Sequence, residues 1–115
     1  MSAILVTREQ AIAHLRIPAP VPDTEADRDL TEKLDNAEAV VLAKINASLY
    51  WREITPTWDA MTAPRPVQQA ILLELGDLWV ERGDGTLTED RPRDAVHGLL
   101  IPIAALLSHY LDPVI

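Results

Sequence analysis

The stretch from Pro66 to Gly83 constrains the fold more than any other. It opens on a proline suited to the first helical position, where no N–H is needed, and closes on a glycine suited to the left-handed residue after the last turn. Between them Val67, Ala70, Ile71, Leu72, Leu73, Leu75, Leu78, Trp79 and Val80 cover most of a helical circumference. A helix that is apolar nearly all round belongs in the middle of a domain, so 66–82 is expected to be central. Glu74, Asp77 and Glu81 recur at steps of three and four and leave one thin acidic seam, expected to reach water or a neighbouring subunit. Gly76 disfavours helix by about 1 kcal/mol relative to alanine. It reads either as a tolerated defect or as a point where another helix backbone comes close.

The rest of the chain supplies partners for this helix. Thr7 and Gln10 have the spacing of a capping box, Val6 can staple against Ala11, and Ala11, Ile12 and Leu15 form the apolar side of a short helix ending near Arg16, before Pro18. Pro18-Ala-Pro-Val-Pro-Asp23 reads as a stiff extended link. Asp23 or Thr24 then caps a long helix over about 25–49, with Leu30, Leu34, Ala37, Val41, Ile45 and Leu49 on one side. From Asp23 to Glu38 seven acids face two bases, which is most simply a solvated face.

The periodicity dissolves between Tyr50 and Arg65, a long loop for a small domain and rich in large side chains. Tyr50, Trp51, Arg52, Trp58 and Met61 are of types that anchor interfaces, so this segment is the candidate for partner contacts. The tryptophans can equally fold back as plugs on the core. Asp84 to Asp94 reads as a polar loop, Arg93 to Leu100 as a short helix, and Pro102 as a kink or a fresh start at Ile103. From there Ile103, Leu106, Leu107 and Tyr110 recur at helical spacing up to Pro113. No stretch alternates as a strand does. The class expected is all-α, a single domain over 1–115 with four to five helices around 66–82.

Chemistry is hard to find in this sequence. There is no cysteine, so disulfides, thiol catalysis and cysteine-ligated zinc are excluded. His97 and His109 lack metal-ligand spacing, Ser108-His109 follows no nucleophile elbow, and Gly83-Asp-Gly85 lies in the wrong context for a phosphate loop. No enzyme, cofactor or metal is expected. A net charge of −8 argues against nucleic-acid binding through counterion release. The longest apolar run, Gly98 to Leu107, is half the roughly 20 residues of a membrane span, and the N-terminus lacks a signal-peptide layout. A soluble protein made inside the cell is expected.

The order of segments is the most informative feature. Val6-Thr-Arg-Glu-Gln-Ala-Ile-Ala-His-Leu-Arg-Ile17, the long acidic helix, the helix Pro66 to Arg82 and the closing Val96-His-Gly-Leu-Leu-Ile-Pro102 together resemble the small head-tail connector proteins of tailed bacteriophages and related gene-transfer particles. The chain departs from that pattern after Pro102, where an aromatic and a basic residue are usual and Ile103 and Ala104 stand here. The resemblance implies a structural virion protein, made in the bacterial cytoplasm and found at the neck between head and tail. There a dodecameric ring would sit beneath the portal protein, extend the DNA channel, retain the genome and dock a tail protein. Asp27, Asp29, Glu32 and Asp35 are then candidates for the channel wall or the contact between subunits. A small regulator or antidote-type module that binds a protein is the competing expectation.

Overall fold

The computed structural model describes residues 5–80 and 101–110. Five helices run in the order α1 (Arg8–Leu15), α2 (Glu25–Ile45), α3 (Leu49–Ile54), α4 (Arg65–Val80) and α5 (Ile101–Leu106), with a 3-10 turn over Thr55–Thr57. The described residues contain no strand, and the all-α expectation holds. Glu81, Gly83, the polar loop after it and the expected helix of 93–100 lie outside the described residues.

Helix α1 begins as its sequence dictates. Gln10 N donates to Thr7 Oγ1 at 3.0 Å and Thr7 N to Gln10 Oε1 at 2.8 Å, so the capping box is closed in both directions. It ends on Arg16 in the left-handed region at φ 57°, two residues before Pro18. The proline-rich link is pinned by one side chain: Arg8 donates to Pro20 O at 2.6 Å and pairs with Asp27 Oδ1 at 2.9 Å, joining α1, the link and α2. Asp23, at φ 66°, turns the chain into Thr24, whose hydroxyl accepts from Asp27 N. Of the two caps the sequence allowed, Thr24 is the one used.

Helix α2 buries Leu30, Leu34, Ala37, Val41 and Ile45, the expected stripe, but stops four residues short of it. Asn46 closes the helix: its carbonyl accepts from Arg52 Nε at 3.1 Å and its Oδ1 from Thr55 Oγ1 at 2.6 Å. Ser48 is extended and starts α3. Leu49 therefore does not continue the stripe; it opens the next helix and is 74% exposed. The expected loop of 50–65 is corrected at the same time. Most of it is α3, the 3-10 turn and a tight turn built on Asp59, whose Oδ1 accepts from Met61 N at 2.8 Å and Thr62 N at 3.0 Å.

Helix α4 is the centre, packed against α1, α2 and α5. Pro64 O accepts from Val67 N and Gln68 N, both at 3.1 Å, and Pro66 stands at the second helical position, one later than expected. Val67, Ala70, Ile71 and Leu75 are fully buried, with Ile103 and Leu107 in the same core. The acidic seam does not face outward. Glu74 is 6% and Asp77 3% exposed, because a helix covered by three neighbours has no side left for water. Neither acid lacks an interaction. Gly76 is not a point of close backbone approach either: a Cβ there would meet only His14 Nε2, at 3.8 Å, an ordinary contact. Helix α1 reaches this point with a side chain.

A candidate partner-binding surface

The residues singled out for partner contact gather around Trp51. Its ring lies 4.8 Å from Tyr110, 4.9 Å from Tyr50, 5.8 Å from Trp58 and 5.9 Å from His109, mostly edge to face. These separations suit the aromatic quadrupole, and they join α3, the end of the 3-10 turn and the chain after α5 into one cluster. Its inner members are Trp58 and Tyr110, each 8% exposed. Burial pushes the Tyr110 hydroxyl above its ordinary pKa. Trp58 is thus a core plug in this fold, which corrects its place among the surface contacts. The reason is local: Thr55 O accepts from Trp58 N, and the 3-10 turn swings the indole inward.

The outer members remain on the surface. Tyr50 is 67% and Met61 93% exposed, and with Leu49 they are the largest exposed apolar side chains beside Val21. Arg52 is exposed, with its Nε held by Asn46 O. Met61 sits at the tip of the Asp59 turn, and the backbone bonds to that carboxylate hold Asp59 below the usual carboxylate range. Gln68 Nε2 donates to Ala60 O at 2.8 Å and to Leu5 O at 3.0 Å, which ties the turn to α4 and to the chain before α1. Arg65, also exposed, follows directly. The segment 49–65 thus presents apolar groups and arginines from a braced support rather than a floppy loop.

The acidic residues of α2 are not one face. At about 100° per residue, Asp27 lies at the edge of the buried stripe, Asp35 and Asp29 on its two flanks and Glu32 opposite it. Asp27 is committed to Arg8 and to Asp23 N, bonds that lower its pKa. Asp29 pairs with Lys33 Nζ at 3.0 Å. Glu38 belongs to the interior, accepting from Leu5 N at 2.9 Å. Asp35 lines a cleft of about 170 Å³ with Val6, Thr7, Arg8, Leu30, Thr31 and Leu34, and its Oδ1 is buried there without a hydrogen-bond partner. Glu32 alone of the four is fully in solvent.

Sequence reasoning missed His109 and Tyr110 as members of the cluster and Arg8 as the tie across the link. Tyr110 carried the only available signal, its helical step from Leu107. Among the described residues no group of three metal-capable side chains comes together, and no helix is long and apolar enough to cross a membrane. No protein-family model, curated protein or solved structure matches the chain.

Proposed function

We propose that this chain is a head-tail connector of a tailed phage or related gene-transfer particle, a ring-forming structural protein between portal and tail. The observation that carries the reading is the ordered set of segments: the capped Val6 to Ile17 opening, the long acid-rich helix, the apolar helix after Pro66 and the Val96 to Pro102 closure. The fold supports it in physical terms. A ring adaptor needs a stiff body and contact groups displayed at its surface. Here α4 is clasped by three helices, while Leu49, Tyr50 and Met61 stand outside the core. Such exposed apolar groups beside arginines suit a protein partner.

The deciding measurement is immunogold electron microscopy, with mass spectrometry, of particles from the source culture. Gold confined to the neck is the expected result. Intact tailed particles that carry none of this chain would overturn the reading and turn attention to a protein-binding regulator. The acidic wall has its own test in Asp29→Lys/Glu32→Lys. If these groups face DNA or the next subunit, infectious yield drops by an order of magnitude or more, about 1.4 kcal/mol of lost assembly or passage free energy. Unchanged yield would remove that role from α2.

A further inference from the structure

The patch made by Leu49, Tyr50, Arg52, Met61 and Arg65 follows the C-terminal end of α2, and its charge points to its occupant. Between residues 44 and 65, three bases (Lys44, Arg52, Arg65) face two acids (Glu53, Asp59). Between residues 23 and 38, seven acids face two bases, and Asp23, Glu25 and Glu32 are exposed there. Helix α2 has 21 residues, so it holds these two surfaces about 30 Å apart. One molecule therefore carries an arginine-rimmed apolar patch at one end of a rigid rod and a predominantly acidic surface at the other.

We infer that the occupant of the patch is a second copy of this chain, docking head to tail: Leu49, Tyr50 and Met61 of one copy lie against the N-terminal half of α2 in the next, with Arg52 and Arg65 opposite Glu25 and Glu32. Because different surfaces of the two copies meet, the contact is heterologous and repeats, closing into a ring or running on as a filament. An isologous contact through the patch alone would set Arg52 and Arg65 against their own copies. One through α2 alone would set acid against acid. The inference rests on the connector reading for the ring and adds the two surfaces that build it.

The cysteine-free chain allows a direct test. Glu32→Cys and Tyr50→Cys both replace exposed residues and leave the core intact. Treated with a short bismaleimide at low salt, neither single variant should dimerise, an equimolar mixture should give the mixed dimer, and the double variant should give a ladder of multimers. Adding Arg52→Glu/Arg65→Glu to the double variant should lower the multimer yield roughly tenfold, the size expected for two rim ion pairs. No cross-link in the mixture, or dimers of a single variant, would overturn the head-to-tail contact. The connector reading fails separately, on particles whose neck lacks the chain, whether or not the ladder forms.

Discussion

At the residue scale, the surface around Met61 depends on one carboxylate. Asp59 accepts from two backbone amides and from Thr62 Oγ1, and these bonds lower its pKa below the ordinary 3.8. A depressed carboxylate contributes stability above its unfolded pKa and loses it as pH falls through the folded one. Wild type should therefore melt above an Asp59→Ala variant at neutral pH, and the gap should close as pH drops below 3.8. A gap that persisted unchanged in acid would place the effect elsewhere. Trp58 offers the contrast. Being 8% exposed, it should cost about 3–5 kcal/mol when truncated to alanine, measured by urea denaturation. A loss near zero would return it to the surface. The residue types around Trp51 were legible in the sequence as interface or plug, but not which tryptophan was which. That choice is made by the 3-10 turn, and its Thr-Pro-Thr carries no strong signal for the direction of the next side chain.

At the element scale, what could be read was what local chemistry alone decides. The Thr7 capping box, the Thr24 cap, the stripe of α2 and the centrality of α4 follow from spacing and turn chemistry, and all are present. The end of α2 was misread because Leu49 happens to fall in register with the stripe, while the stop is made by Asn46 bonding to residues of the following helix. The outward seam of α4 was misread because amphipathic reasoning assumes water on at least one side, and three packed helices remove it. Gly76 gives this scale its prediction. With negative φ available and only His14 Nε2 at 3.8 Å from a new Cβ, Gly76→Ala should stabilise the protein by about 0.5–1 kcal/mol through helix propensity. Destabilisation in thermal melts would mean that α1 and α4 are packed more tightly at this point than that contact implies.

At the scale of the whole molecule, charge acts in two opposed ways. The chain carries −8, yet among the described residues only Arg8–Asp27 and Lys33–Asp29 form ion pairs. The folded body measures 45 × 33 × 19 Å. At 0.01 M salt the screening length is about 30 Å, so most of its charges repel across the molecule, whereas at 0.15 M it is about 8 Å and repulsion is confined to neighbours. Folding concentrates these charges, so screening should favour the folded state. Two exposed pairs, each contributing about 0.2–1 kcal/mol at most, are too few to reverse the sign. The melting temperature should therefore rise by a few degrees from 0.01 to 0.15 M NaCl, since about 1 kcal/mol shifts a domain near this size by about 4 °C. Contact between the arginine-rimmed patch of one copy and the acid-rich helix of the next is attraction between opposite charges, and the same salt should weaken it. Scanning calorimetry and bismaleimide cross-linking over one salt series should then move in opposite directions. If both rose with salt, apolar contact through Leu49, Tyr50 and Met61 would govern association, and the charges would act only as repulsion within each subunit.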